Sequence, residues 1–227
     1  MQVKPNNDNI KSWRDVENFF NLDPVFDKLA DFLQPGDTHI EIGLFKGASM
    51  ACLMEKLEAQ GKMKPGNKVR LVGIDPFMWE ENGKNDASKM QRVFNERMHF
   101  VNILGLIENV EIYRMFSHAA HGFFADNSVS SVFVDGGHDY YDCYMDMHQY
   151  WQKLKDGGIM MVHDYLNPVV PMVQWAVDHY VQSLKDRGEK FSSYIYEESK
   201  KWGHPCHTYV LRKGTEKVEK AIKIDKA

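Results

Sequence analysis

Short apolar, β-prone segments alternate along this chain with segments of helical periodicity, and this alternation restricts its fold more than any other feature. The pattern predicts strands at residues 38–43, 68–75, 110–113, 131–134 and 159–162. Helical patterns follow these strands, to about residue 60 and over residues 87–104, 117–125, 139–154 and 170–184. Strands that alternate with helices in this way form a parallel sheet with helices on both faces and right-handed crossovers.

The two ends of the chain depart from this alternation. Apolar residues recur at helical spacing from Trp13 to Leu33, with a break near Pro24, which predicts two short helices over one end of the core. Residues 191–196 and 207–211 predict two strands with no helix between them, hence an antiparallel pair at the edge of the sheet. We therefore expect a helical cover over residues 1–34, one α/β domain over residues 35–212 and a tail over residues 213–227.

Five strand-and-helix units closed by an antiparallel hairpin resemble the fold of class I methyltransferases. The resemblance implies an α/β fold with a doubly wound, mostly parallel seven-stranded sheet of the Rossmann-like type. In open sheets of this kind, ligands bind outside the carboxyl ends of the strands. Residues that follow the predicted strands are therefore the candidates for chemistry.

Composition excludes several classes of protein. The chain has 227 residues, 43% of them hydrophobic, which suffices for one well-cored domain. Its formal net charge of -4 gives no basic field for phosphate backbones, so we expect no nucleic-acid partner. It lacks an apolar run of the ~18 residues that a membrane span needs, and the first residues lack the apolar region of a signal peptide. We expect a cytoplasmic protein that does not associate with membranes.

The cysteines and the assembly state are less informative. Cys52, Cys143 and Cys206 are odd in number and widely separated, with no close pair for zinc or redox chemistry. We expect free buried thiols. A homo-oligomer is compatible with the sequence, which does not fix the oligomeric state.

A glycine turn over residues 41–49 joins the first predicted strand to its helix. Gly43 and Gly47 allow the backbone to approach a ligand closely, and the helix start beyond them favours an anionic group. The pattern acid-x-Gly-x-x-x-Gly, beginning at Glu41, is similar to the turn of S-adenosylmethionine (SAM) methyltransferases and differs from the Gly-x-Gly-x-x-Gly of dinucleotide enzymes. The alternative is a glycine turn that serves only tight packing of strand and helix.

Asp75 ends the second predicted strand, where a carboxylate can accept both hydroxyls of an unphosphorylated ribose. A turn cap is the alternative, which Pro76 favours. The resemblance implies that Ser117 lies near the adenine and Ser49 near the methionine carboxylate, although each serine is also a good helix N-cap candidate. Trp79 covers the adenine or simply packs. The predicted cofactor-binding residues are Glu41, Gly43, Gly47, Ser49, Asp75, Ser117 and Asp135.

Acids and histidines follow the fourth and fifth predicted strands. Asp135 and His138 come after the fourth, and the adjacent His163 and Asp164 come after the fifth. In a doubly wound sheet these strands are neighbours, about 4.8 Å apart, so that Asp135 and Asp164 can share one ion. Carboxylates are the hard oxygen ligands that Mg²⁺ and Mn²⁺ prefer.

The same residues carry a closer resemblance. Asp-x-x-His after the fourth strand and His-Asp-Tyr after the fifth resemble the metal-dependent O-methyltransferases, most closely the macrocin-type sugar methyltransferases, over residues 36–185. The resemblance implies a divalent metal at Asp135, His163 and Asp164. Members of that group often end the fifth strand in two adjacent carboxylates, and His163 stands at the first of those positions here. It can coordinate manganese or iron, orient Asp164 without touching the ion, or belong to a metal-free relative.

His138 is the predicted catalytic base. An acceptor hydroxyl must lose its proton as it attacks the methyl carbon, and an imidazole that titrates near neutral pH suits that task. The alternative is that His138 caps the next helix, for which Asp139 is the better residue. His118 and His121 are spaced for one helix face, but without a third ligand they are expected on a wet surface.

These features together predict a SAM-dependent O-methyltransferase that uses Mg²⁺ or Mn²⁺ to methylate a hydroxyl of a small molecule or sugar. A metal-free N- or O-methyltransferase is the first alternative. A Rossmann-type nicotinamide oxidoreductase would share the alternation and Asp75, but it is expected to carry Gly-x-Gly. A third alternative is a protein that binds SAM and transfers nothing.

Overall fold

The computed structural model describes residues 10–16, 23–78, 87–197 and 206–214. Its strands are β1 (Thr38–Ile42), β2 (Met63–Lys64), β3 (Asn67–Lys68), β4 (Arg70–Ile74), β5 (Val110–Tyr113), β6 (Val129–Val134), β7 (Leu154–Tyr165), β8 (Phe191–Glu197) and β9 (His207–Lys213). Its helices are α1 (Asp23–Phe32), α2 (Ala48–Ala59), α3 (Ala87–Ile103), α4 (Leu106–Asn109), α5 (Ser117–Ala120), α6 (Tyr140–Lys153) and α7 (Pro171–Asp186).

Seven of these strands form one sheet in the order β5-β4-β1-β6-β7-β9-β8. The first five strands in this order run parallel to one another, whereas β9 pairs antiparallel with both β7 and β8. The predicted doubly wound sheet with an antiparallel C-terminal pair is therefore confirmed. The strand order reverses beside β1, whose neighbours are β4 and β6, and ligands bind at such switch points in open α/β sheets.

Both faces of the sheet are covered, as a mostly parallel sheet requires. Side chains of β6 alternate between the two cores. Phe133 packs against Phe26 of α1 with ring centroids 5.5 Å apart, on the face that α2 also covers. Val132 faces the opposite core, which contains Tyr150 of α6 and Tyr180 of α7. The carboxyl ends of the strands are thereby held by packing on both sides.

Some local predictions are wrong. Of the two short helices predicted from Trp13 to Leu33, the second forms as α1, whereas the first shows only a 3-10 turn over Trp13–Asp15, and residues 17–22 lie outside the described residues. The small hairpin of β2 and β3 was not predicted, because its strands are only two residues long and Met63 is their single apolar residue. β7 begins at Leu154, ahead of the predicted strand at residues 159–162, and residues 155–158 belong to it with an irregular register, since Gly157 takes a φ of 77°. Trp79 and residues 215–227 lie outside the described residues.

The structure also bears on the predicted free thiols and on the prediction that no segment spans a membrane. All three cysteines are described, and each is a buried thiol outside any disulfide. Within the described ranges, none of the helices is both long and apolar enough to cross a membrane.

Candidate functional site

The turn after β1 touches the end of β6 at the switch point. The Asp135 N–H donates to the Ile42 carbonyl at 2.9 Å, and the Gly43 N–H donates to the Ile74 carbonyl at the same distance. Gly43 has a φ of +89°, and a β-carbon there would lie 1.9 Å from the Asp135 carbonyl oxygen. Only glycine fits, because both the backbone conformation and the space exclude a side chain.

The second glycine of the turn, Gly47, has a φ of +78° and is the N-cap of α2. A β-carbon there would lie 2.5 Å from a methyl group of Leu106. Tight packing thus accounts for both glycines of the turn. Their predicted role in cofactor binding stays a prediction.

Glu41 lies fully buried beneath this turn. Its Oε1 accepts a hydrogen bond from the Ser49 hydroxyl, whereas Oε2 has no hydrogen-bond partner among the described residues. Burial raises the pKa of Glu41 well above its usual value, and the charges of Asp135 and Asp75 add to that effect. A neutral Glu41 carboxyl would leave one polar atom unsatisfied beside the turn. The suggested N-cap role of Ser49 is wrong, because Gly47 is the cap and Ser49 lies one residue inside the helix.

Asp75 is buried and holds two backbone segments together. Its Oδ2 accepts the Phe45 N–H at 2.8 Å, and its Oδ1 accepts the Phe77 N–H at 2.5 Å. Arg97 of α3 lies 3.7 Å from Oδ1. Burial raises the pKa of Asp75, while these backbone donors and Arg97 act against the rise. The interpretation of Asp75 as a turn cap is confirmed. A ribose bound here would have to share the Asp75 carboxylate with these backbone N–H groups.

Ser117 is the first residue of α5, and Phe116, not Ser117, is the N-cap. The Ser117 side chain hydrogen-bonds to Asp146 of α6, and its carbonyl accepts the Tyr150 hydroxyl at 3.0 Å. Burial raises the pKa of Asp146 to about 7, and the Ser117 hydrogen bond opposes this rise. The predicted contact of Ser117 with adenine stays a prediction, and its suggested capping role is wrong.

The acids and histidines that follow β6 and those near the end of β7 form one cluster, as expected for neighbouring strands. His163 Nδ1 lies 3.2 Å from Asp135 Oδ1 and 3.4 Å from Asp164 Oδ2. His138 Nε2 lies 3.0 Å from Asp164 Oδ2 and 3.9 Å from Asp135 Oδ1. The two carboxylates thus face two imidazoles, one buried in the sheet and one nearly half exposed.

The cluster contains two groups of ligand atoms that could each surround an ion. Oxygen or nitrogen atoms of Asp135, His138 and Asp164 lie within 4.8 Å of one another. The same holds for atoms of His163, Asp164 and Cys206. The first group matches the predicted carboxylate pair, with His138 in addition. The second brings in a cysteine that the sequence presented only as a buried thiol.

Electrostatics couple these residues strongly. The facing carboxylates of Asp135 and Asp164 raise the pKa of His138 to about 10. Although burial opposes it, hydrogen bonds from His138 and His163 hold the pKa of Asp164 well below its usual range. A protonated imidazole cannot accept a proton. His138 can therefore serve as the predicted base only where another cation takes over the charge of Asp135 and Asp164.

Neighbouring residues fix the positions of the cluster. Asp139 is the N-cap of α6 and accepts the Asp142 N–H at 2.9 Å, so His138 is not needed as a cap. Asn167 Nδ2 donates to Asp164 Oδ1 at 2.7 Å, and Asp164 itself takes a φ of 60°. Asn167 could not be predicted, because it lies in a turn whose shape is set by the unusual backbone at Asp164.

The other candidate histidines lie outside the cluster. His118 is exposed and stacks on Phe116, while His121 Nδ1 lies 2.7 Å from the His118 carbonyl oxygen. Neither of them belongs to a group of ligands among the described residues. Arg97 and Cys206 are two buried side chains that the sequence did not single out for the site, since no local motif surrounds either.

Comparison with known proteins finds a matching family model and solved structures with a similar fold. A family model described as a methyltransferase domain matches residues 40–165. An uncharacterized protein of Acanthamoeba polyphaga mimivirus is 27% identical over 182 residues, which cover 76% of this chain and 72% of that protein. The O-methyltransferase TomG from Streptomyces achromogenes, solved in complex with SAM, has a TM-score of 0.60 at 18% identity, covering 88% of this chain and 83% of that one.

A structure titled as an rRNA methylase from Streptococcus thermophilus is also similar. Its TM-score is 0.57 at 16% identity, and the match covers 87% of this chain and 99% of that one. At such identities the two solved structures show a shared fold and leave the acceptor open.

Proposed function

The chain belongs to the methyltransferase family whose domain model matches residues 40–165, and we propose that it transfers a methyl group from SAM to a hydroxyl with the help of a divalent cation. One observation carries the proposal: the glycine turn after β1 and the carboxylate cluster after β6 meet at Gly43 and Asp135. A cofactor bound at the turn would therefore lie next to residues that can hold an acceptor. We propose that the chain belongs with the macrocin-type sugar methyltransferases, because its Asp-x-x-His and His-Asp-Tyr motifs resemble theirs.

The turn has features that fit SAM. The unpartnered Oε2 of buried Glu41 offers a polar atom that a ligand can satisfy. The twelve-residue helix α2 begins at the turn, and its N-terminal N–H groups favour a carboxylate such as that of methionine. Asp75 lies at the next strand end, where it would meet a ribose. TomG, which has the same fold, was solved with SAM.

The cluster has the donor set of a divalent cation site. Asp135 and Asp164 would hold the ion through oxygen, the ligand type that Mg²⁺ and Mn²⁺ prefer, while His163 orients Asp135 through Nδ1 and His138 keeps Nε2 for the acceptor proton. When bound, such an ion lowers the pKa of an acceptor hydroxyl and fixes its position. Two adjacent carboxylates attract positive charge, and a bound ion would replace protonated His138 as the partner of Asp164.

His138 would take the hydroxyl proton on Nε2, the nitrogen that faces Asp164. The hydroxyl oxygen then forms its bond to the methyl carbon as the bond from that carbon to sulfur breaks. The electron pair of that bond stays on sulfur, and S-adenosylhomocysteine leaves. Asp164 would stabilise the imidazolium that results.

A small molecule or sugar is the acceptor that we propose. The net charge of -4 offers no basic surface for a nucleic acid, although a protein of the same fold is titled an rRNA methylase. Tyr141 has 68% of its surface exposed beside the cluster and could contact such an acceptor. We also propose a cytoplasmic protein without membrane partners.

Isothermal titration calorimetry with S-adenosylhomocysteine tests the cofactor assignment. We expect binding of one equivalent by the wild-type protein and none of NAD. Heat with NAD and none with S-adenosylhomocysteine would overturn the proposal in favour of an oxidoreductase. If the cofactor binds and methyl transfer survives exhaustive chelation, the metal-free alternative is correct.

A further inference from the structure

Cys206 lies against the carboxylate cluster on the side opposite His138. Its Sγ is 3.2 Å from Asp164 Oδ1 and 3.6 Å from His163 Nε2, and all three residues are buried. Sheet pairing places it there, because Tyr165 of β7 is paired with His207 of β9. The contact joins residues 43 positions apart in the sequence.

The spacing of these atoms matches a tetrahedral zinc site. With a Zn–S bond of about 2.3 Å and a Zn–N bond of about 2.0 Å, two ligands at the tetrahedral angle lie about 3.5 Å apart. The Sγ to Nε2 distance of 3.6 Å agrees with this value. The Sγ to Oδ1 distance of 3.2 Å is slightly shorter, and metal entry would have to widen it.

Hydrogen bonds outside the triad orient the ligands as metal sites require. His163 Nδ1 lies 3.2 Å from Asp135 Oδ1. Because a carboxylate can only accept, Nδ1 carries the hydrogen there and Nε2 is the nitrogen left for a metal. This is the carboxylate–histidine–metal arrangement that recurs in zinc proteins. Asn167 donates to Asp164 Oδ1 at 2.7 Å, which holds that oxygen in place.

We propose that Cys206, His163 and Asp164 form a zinc site separate from the site assigned to Mg²⁺ or Mn²⁺. Thiolate sulfur and imidazole nitrogen favour Zn²⁺ over the hard cations. Binding would release two protons to solvent, one from the thiol and one from Nε2 of His163, because a coordinating thiol is deprotonated and a coordinating imidazole is neutral. The second proton is present because, although burial opposes it, the charge of Asp135 raises the pKa of His163. Asp164 would take part in both sites, with Oδ1 toward Cys206 and Oδ2 toward His138.

Occupation by zinc therefore competes with the hard cation for Asp164. Zinc would also tie the start of β9 to the end of β7, where the antiparallel edge begins. The proposal concerns metal binding only and does not depend on methyl transfer. A methyltransferase without this site and a zinc protein without activity are both distinguishable outcomes.

Cobalt titration of the metal-free full-length protein tests the proposal. Co²⁺ reports on a thiolate ligand through a sulfur-to-metal charge-transfer band in the near ultraviolet. We expect this band in the wild type, its loss when Zn²⁺ displaces Co²⁺, and its absence in Cys206→Ala. Cys52→Ala, which removes a buried thiol of α2, is the matched control and should keep the band. Asp135→Asn should keep it too, with zinc affinity lowered about 10- to 100-fold.

X-ray absorption of the zinc-loaded wild type keeps the test independent of whether the variants fold. We expect one sulfur and several nitrogen or oxygen ligands. A shell without sulfur, or a charge-transfer band that persists in folded Cys206→Ala, would show that Cys206 is merely a hydrogen-bonded thiol and would overturn the proposal.

Discussion

The backbone carbonyl of Asp135 occupies the space that a side chain on Gly43 would need, 1.9 Å from an ideal β-carbon there. The proposed cofactor turn and the proposed metal ligand are thus in direct backbone contact. Any change that moves one of them moves the other. The two halves of the site, which the sequence presents as separate motifs, form one packed unit at the switch point of the sheet.

This contact predicts a specific loss of stability in Gly43→Ala. Gly36 is the matched control, because its φ of +93° resembles the +89° of Gly43 but nothing lies within 4 Å of its β-carbon position. Gly36→Ala should cost about 1–2 kcal/mol for the left-handed backbone. Gly43→Ala should cost about 1–3 kcal/mol more through overpacking. Urea denaturation measures the free energy of unfolding of both variants. Equal losses would show that the turn at Gly43 accommodates a β-carbon without an additional cost in stability.

Asp146 predicts a pH dependence of stability. Its pKa in the folded protein is raised from 3.8 to about 7 by burial. Between these values the folded state keeps a proton that the unfolded state has released, so the free energy of unfolding falls as pH rises through this window. The loss amounts to at most about 4 kcal/mol. It levels off above about pH 7, where both states have released the proton.

Asp146→Asn should remove this part of the slope and be more stable than the wild type at about pH 8. Glu108→Gln, an exposed change on α4, is the control and should keep the slope. Thermal or urea unfolding across the window provides the measurement. An Asn variant with an unchanged slope would assign the pH dependence to other groups.

His138→Ala tests the proton-transfer step. General base catalysis contributes roughly 10²–10⁴-fold to a rate. We expect turnover to fall by that factor while S-adenosylhomocysteine binding stays nearly intact. His99→Ala, an exposed change on α3, serves as the control. Initial rates with any hydroxyl acceptor that the wild type methylates decide the matter, and an unchanged rate would remove His138 from the mechanism.

The sequence was sufficient for the sheet because its signals there are local. Buried strands such as β6 and the helices between the strands show clear local patterns, and β/α alternation leaves few topologies. It could not anticipate the hairpin of β2 and β3, which lacks apolar periodicity. The start of β7 at Leu154 could not be predicted either, because the pair Gly157-Gly158 ordinarily indicates a turn.

For the site, the sequence located Asp135, His138, His163 and Asp164 because adjacent parallel strands end at one edge of the sheet. The position of Cys206 in the cluster could not be predicted. Its contact with His163 depends on the register of β9 against β7, which no sequence motif specifies. The backbone N–H groups of Phe45 and Phe77 that donate to Asp75 could not be predicted either. Their positions follow from turn geometry, including a φ of 49° at Phe45.

The central claim is that Asp135 and Asp164 hold a divalent cation, and Mn²⁺ titration followed by electron paramagnetic resonance tests it most directly. We expect the wild type to bind one Mn²⁺, and Asp164→Asn to lose affinity by more than the roughly 10- to 100-fold typical of outer hydrogen-bond partners. Asp186→Asn, an exposed change at the end of α7, and Cys206→Ala should both retain binding. Absence of bound Mn²⁺ in the wild type, or unchanged affinity in Asp164→Asn, would contradict the account.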